Sequence, residues 1–329
     1  MTLPRGPVFV AGLERTGTSL MYALLASHPA IAMTRRTNLW THFYAQYGDL
    51  SIAANFERCL STMLRYRRII KLELDADRLR RDFAASRDKT YARLFELIEL
   101  QHAHRMGRPR WGDKSLHTER WADRIMAAYP GARIIHMIRD PRDRYASSQT
   151  RWVRRGGIGA GTAEWLASAR LAERNRDAYP DRYRIVRYEA LVAEPERSVR
   201  EICDFIGEPF VRAMLKMGDA GRFTETGGNS SYGTRFDGAI TSSSVGRYRT
   251  VLSPTQIAFV QLVAGETMQR LQYELDPTPR SVGTRVRLAL GAVPLESARL
   301  LAWRARESVR ERRGRPVPAH RLVAAGPTG

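Results

Sequence analysis

Short apolar runs alternate with helical periods along most of this chain. Val8–Ala11 is an unbroken apolar run set between Pro7 and Gly12. It is too short for a helix and predicts a buried strand. Leu20, Met21, Leu24 and Leu25 recur at helical spacing and predict a helix over Thr18–Ser27. Asn38–Arg110 reads as mostly helical, most clearly where Tyr91, Leu94, Phe95, Ile98, Leu100 and His102 mark an amphipathic stretch. Arg110–Gly112 predicts a short strand leading to Asp113, and Arg133–Ile138 and Tyr183–Arg187 predict two more. Helices are expected over Glu119–Ala128, Arg142–Arg154, Ala163–Ala178, Pro195–Ile206, Pro209–Met217 and Pro254–Tyr273. Strands alternating with helices in this way predict an α/β fold, helix-rich and in three layers around a small, mainly parallel sheet. Gly218–Ser244 is rich in Gly, Ser and Thr without a strong period and reads as a loop able to order over a ligand.

Two of the strand ends carry chemistry. After the first strand come Gly12, Leu13, Glu14, Arg15, Thr16, Gly17, Thr18, Ser19 and Leu20. Glycines let a backbone turn its N–H groups toward an anion, and the start of the following helix adds a favourable dipole. Gly12 and Gly17 have the spacing of a P-loop, and Ser19 occupies its Ser/Thr position, but Thr18 replaces the lysine. The positive charge sits instead in the loop, at Arg15. A nucleotide whose leaving group differs from that of ATP is therefore expected. The second site follows the strand 133–138. Arg139 ends that strand, Asp140 can cap the next helix and Pro141 suits its first turn. Ser147 projects from that helix toward the same sheet edge, where open α/β sheets place their ligands. Arg139 and Ser147 make a second phosphate clamp.

With both segments in view, the chain resembles the sulfotransferases that use 3′-phosphoadenosine-5′-phosphosulfate (PAPS). The resemblance covers roughly residues 5–275. It rests on Leu13–Leu20 as the 5′-phosphosulfate loop and on Arg139–Asp143 with Ser147 as the 3′-phosphate motif. Tyr183–Leu191 followed by Glu194-Pro195 is similar to the family's later strand, whose tyrosine, here Tyr188, lies near the adenine. Val245–Arg249 resembles the loop that closes over the nucleotide, which assigns Gly246, Arg247 and Tyr248 to cofactor binding. The resemblance further implies a P-loop-like fold, PAPS as co-substrate and no metal. It places Arg15 at the transition state and has Thr16, Gly17, Thr18, Ser19 and Leu20 cradle the 5′-phosphate. Trp111–Ser115 is similar to the Glu-Lys-Ser/Thr segment of the glycosaminoglycan branch. On that likeness Asp113 is the general base and Lys114 contacts the transferring group, with His117 the second candidate base. Where the tyrosylprotein branch carries an acidic segment after its first helix, this chain has Arg35 and Arg36. Neither can take a proton.

Composition sets the surroundings. The chain has 329 residues, 43% hydrophobic, enough for one large α/β domain or two smaller ones. No run of 18 uncharged apolar residues occurs, so no spanning helix is expected. The start, Met1–Arg5, lacks the apolar stretch of a signal peptide, which gives a cytoplasmic expectation. Cys59 and Cys203 read as buried reduced thiols, and the seven histidines show no metal-ligand spacing. The formal charge of +20 attracts anions in general and selects no single partner.

Two units are expected: residues 1–276 as the catalytic domain, with 38–110 as an acceptor-side helical insertion, and 277–329 as a basic helical extension. In the extension, Leu288, Leu290, Val293, Leu295, Leu300, Leu301 and Trp303 lie among many arginines. A basic amphipathic helix can lie on an anionic membrane, although packing against the core with disorder from about Gly314 is the preferred reading. The function expected is sulfuryl transfer to a hydroxyl or amine of a carbohydrate, lipid or small molecule. A homodimer is admitted, and nucleic acid is not expected as a partner. A P-loop kinase is disfavoured by the missing lysine and the lack of an acidic metal-holding strand. A non-catalytic basic binding module is the third alternative.

Overall fold

The structure is a computed structural model that describes residues 5–153, 155–217, 240–277 and 281–323. Five parallel strands form one sheet in the order β2-β3-β1-β4-β5. They are β1 Val8–Gly12, β2 Ile31–Arg35, β3 Arg110–Lys114, β4 Arg133–Ile138 and β5 Tyr183–Arg187. Alternation along each strand sends its side chains to two cores. Phe9, Trp111 and Ile134 pack on one face with Leu94, Phe95 and Ile98. Val8, Val10, Ile135 and Met137 pack on the other with Leu20, Leu24, Val199 and Ile202.

Helix α1, Thr18–Ala26, follows the β1 loop, and five helices span the expected helical region. They are α2 Leu39–His42, α3 Ala53–Leu64, α4 Arg67–Ile70, α5 Ala76–Ala85 and α6 Tyr91–Arg105. Asp75 and Thr90 cap α5 and α6 through their side chains. A 3₁₀ turn, Thr118–Trp121, and α7, Ala122–Ala128, lead to β4. Then come α8 Pro141–Ala146, α9 Gln149–Val153 and α10 Gly157–Ala178. After β5 follow α11 Tyr188–Ala193, α12 Pro195–Ile206 and α13 Ala213–Lys216. The chain continues with α14 Tyr248–Val251, α15 Pro254–Arg270, α16 Val282–Arg287, a π turn Leu288–Ala292 and α17 Val293–Arg313.

Several expectations change. Strand β2 was not expected, because Ile31-Ala32-Met33-Thr34-Arg35 has no clean alternation. It is a buried strand with apolar or hydroxyl side chains on both faces. The helix expected over Arg142–Arg154 is two helices, α8 and α9. The one expected over Pro209–Met217 is only the short α13. Tyr188 opens α11 instead of extending a strand. The extension does not fray at Gly314: Arg65 Nε donates to the Val323 carbonyl and Val323 N–H donates to that of Arg65, each at 2.9 Å, while the rest of the stretch expected to be disordered, 324–329, lies outside the described residues. His42 Nδ1 and the Arg315 carbonyl are also 2.9 Å apart. These contacts tie the tail back to α2 and α3. Of the expected nucleotide-covering loop, residues 218–239 lie outside the described residues.

Candidate active site

The β1 loop is built to present backbone N–H groups. Gly12, Arg15 and Gly17 have φ of 119°, 71° and 92°. Arg15 is strained there, since a side chain in the left-handed region costs about 1–2 kcal/mol. Gly17 is required: a Cβ would stand 2.7 Å from the Tyr188 ring. Gly17 caps α1 without a side-chain hydrogen bond, and the first N–H groups of any helix lack intrahelical partners. Thr16, Thr18 and Ser19 are buried around that end. Thr16 Oγ1 donates to the Leu13 carbonyl at 2.8 Å and fixes the turn.

The sheet brings the second motif alongside, because β1 and β4 are neighbours with Gly12 opposite Met137. Arg139 is buried, with its guanidinium 4.5 Å over the Tyr188 ring. It donates to the Arg15 carbonyl at 3.3 Å and to the Ser244 carbonyl at 2.5 Å. Its Nε is buried without a partner among the described residues. Arg15 Nε donates to Ser147 Oγ at 2.7 Å. Asp140 caps α8 by accepting from Arg142 N–H at 2.8 Å, as its position beside Pro141 predicts. Asp143 accepts from the N–H groups of Gly246 and Tyr248 at 2.7 and 2.8 Å. Leu13–Leu20, Arg139, Ser147, Tyr188 and Gly246–Tyr248 thus converge on one edge. Within that group the Tyr248 ring is buried under Arg142 and contributes through its backbone, whereas Arg247 is exposed.

The candidate base and its neighbour do not converge. Asp113 and Lys114 are consecutive within β3, so their side chains leave opposite faces of the sheet. Asp113 lies level with Phe9, deep in the sheet. Its Oδ1 accepts from Thr34 and Thr37 hydroxyls at 2.9 and 2.8 Å. Thr34 is also 2.9 Å from Glu99 Oε1. Burial raises the Asp113 pKa against the pull of these hydroxyls, and burial, then the Asp113 charge, raises that of Glu99. Lys114 is buried on the α1 side, and burial, then Arg36 and Arg35, lower its pKa to about 7. His117 stands next to the β1 loop, its N–H donating to the Gly12 carbonyl at 3.3 Å. Its ring lies 4.0 Å from Glu119 and 3.9 Å from Glu164. Burial lowers its pKa, opposed by those two carboxylates.

Comparison with known proteins decides the family. A family model described as the sulfotransferase family matches residues 7–212. The chain belongs to the sulfotransferase family. It is 26% identical over 215 residues to a protein-tyrosine sulfotransferase of Drosophila melanogaster, covering 63% of this chain and 39% of that protein. It is 24% identical over 209 residues to protein-tyrosine sulfotransferase A of Caenorhabditis elegans, covering 62% and 50%. The chain thus spans half or less of the length of these two relatives. Its fold matches the sulfotransferase domain of the Synechococcus PCC 7002 olefin synthase, with a TM-score of 0.58 and 22% identity over 84% of this chain and 98% of that one. It also matches the sulfotransferase domain of the curacin biosynthetic pathway, with a TM-score of 0.53 and 18% identity over 84% and 100%.

The chain holds this loop with residues that sequence reasoning did not assign. Gly12 N–H donates to Glu119 Oε2 at 3.2 Å, and Arg144 Nε donates to the Glu14 carbonyl at 3.1 Å while its guanidinium pairs with Glu164. Arg144 directly follows the Arg139–Asp143 motif, whose charge density was the available signal. Glu119 and Glu164 had none. A cavity of about 210 Å³ opens along the outer edge of β2, lined by Tyr22, Arg35, Arg68, Lys71, His102 and Arg105 among others, with no carboxylate among its described lining residues. Arg35 is paired in register with Lys114.

Lys114 gives a stability test. Its folded-state pKa is about 7 against an ordinary 10.5. Between those values the unfolded chain holds a proton that the folded chain releases, so stability is lost as pH falls through this window and levels off below it. Lys114→Met removes the effect. Relative to the parent, its unfolding free energy should rise as pH is lowered from 9.5 to 7, by up to about 1.4 kcal/mol per unit. Urea denaturation across that range measures it, and a difference independent of pH would contradict the burial of a titrating Lys114.

Proposed function

We propose that this sulfotransferase takes its sulfuryl group from PAPS and delivers it to a hydroxyl or amine of a carbohydrate, lipid or small molecule. The observation that carries the reading is the convergence of Arg15, Arg139 and Ser147 on an uncapped helix start. The site's chemistry suits a doubly phosphorylated adenosine. It offers free N–H groups at α1, a buried Arg139 N–H without a partner among the described residues, and the Tyr188 ring packed against Gly17. Thr16, Gly17, Thr18, Ser19 and Leu20 would hold the 5′ end, and Arg139 and Ser147 the 3′-phosphate, with Gly246 and Arg247 beside it.

The donor, when bound, presents a sulfuryl group on a phosphate leaving group. Arg15 and the α1 N–H groups stabilise negative charge that gathers on the leaving oxygen. Lys114, protonated in that anionic setting, opposes charge on the transferring group. We assign the acceptor's proton to His117, because it adjoins the phosphate loop, and give Asp113 a positioning role through Thr34 and Thr37. The cationic cavity beside β2 supports entry of the acceptor from that side.

Calorimetric titration with adenosine 3′,5′-bisphosphate, in the absence of magnesium, tests the reading. Tight binding is expected, weakened by roughly a hundredfold in Arg139→Ala. Arg15→Ala should instead lower turnover by roughly 10²–10³-fold, as loss of a transition-state donor does. Preference for Mg–ATP, or an oligonucleotide as the only ligand bound, would overturn the assignment.

The pH profile separates the two bases. A neutral His117 is the active form, and its pKa lies below the ordinary 6.5. Turnover should fall as pH drops through that value, with the acid limb lost in His117→Asn and retained in Asp113→Asn. A limb abolished by Asp113→Asn alone would return the role of base to the aspartate.

A further inference from the structure

The C-terminal helical run presents an apolar stripe outward. Segments α16, the π turn and α17 follow one another without interruption over residues 282–313, about 48 Å at 1.5 Å per residue. Within them only Leu300 and Glu307 are buried. Val282, Leu290 and Leu301 are 73%, 79% and 60% exposed, and Val286, Leu295 and Val309 are exposed as well. Val282, Val286 and Leu290 are spaced by four, which keeps them on one side of the helix.

Charge on this run is sorted by direction. Glu296 accepts from Gly159 N–H at 2.8 Å and pairs with Arg299, so it serves the contact with α10. Glu307 takes Arg120 at 2.7 Å and Arg315, and Glu311 also pairs with Arg120. The run's three carboxylates are therefore all engaged, while Arg285, Arg287, Arg304 and Arg306 are exposed beside the apolar residues. Among the described residues, no helix is long and apolar enough to cross a membrane.

We infer that residues 282–313 form an in-plane docking surface for an anionic membrane. Exposed valines and leucines enter the boundary between headgroups and acyl chains, and the flanking arginines meet lipid phosphates and carboxylates. A second copy of the chain is a poorer occupant, because a two-fold contact through this face sets arginines against arginines.

Sedimentation of the full chain with phosphatidylcholine vesicles, with and without 30% phosphatidylserine, tests this. Binding is expected only with the anionic lipid and should weaken at 0.5 M salt. Val286→Glu with Leu290→Glu should reduce partitioning at least roughly tenfold, and so should Arg285→Glu with Arg287→Glu. Unchanged far-UV circular dichroism and melting temperature would show that the variants fold. Equal pelleting with neutral vesicles, or no effect of either variant, would overturn the proposal. So would a dimer in light scattering that Val286→Glu with Leu290→Glu converts to monomer.

Discussion

Arg139 is the tie on which the site depends. It stands where β4 ends, and its guanidinium reaches the carbonyls of Arg15 and Ser244 while lying on Tyr188. Those groups come from the β1 loop, the segment before α14 and the start of α11. A buried guanidinium carries five donors in a rigid plane and keeps its charge. It can therefore hold carbonyls of two loops and still favour an anion nearby. Around it Asp140 caps α8, Asp143 anchors Gly246 and Tyr248, and Arg144 holds Glu14. Neighbouring residues of one short segment thus secure separate loops around one site.

The parallel sheet sets what the remaining groups can do. Because β1 lies between β3 and β4, the loop after β1 meets Arg139 on one side and the β3 end on the other. Strand alternation then divides Asp113 from Lys114. The carboxylate goes to a hydroxyl and carboxyl cluster with Thr34, Thr37 and Glu99, and the ammonium goes to the α1 side beside Arg35 and Arg36. Adjacent in sequence, the two cannot bear on one reacting atom from this backbone.

Much of this was legible in the residues. Glycine spacing before Thr18, and Asp140-Pro141 after an apolar strand, are local signals tied to backbone geometry, and the left-handed glycines and the Asp140 helix cap that they imply are both present. Strand β4 reads cleanly because its apolar run ends at Asp140-Pro141, and β5 because Tyr183, Ile185 and Val186 favour a strand. What failed depends on partners distant in the chain. Strand β2 lacks alternation because it is buried on both faces. Glu119 and Glu164 are ordinary acids until the fold sets them beside Gly12 and Arg144. The tail after Gly314 looks disordered by composition, yet Arg65 and His42 hold its described part, up to Val323.

A crystal structure of the chain with adenosine 3′,5′-bisphosphate bound measures the central claim most directly. The account predicts the 5′-phosphate on the N–H groups of Gly17, Thr18 and Ser19, and the 3′-phosphate within hydrogen-bond reach of Arg139 and Ser147. A nucleotide seated elsewhere, or bound with its 3′-phosphate away from Arg139, would contradict it.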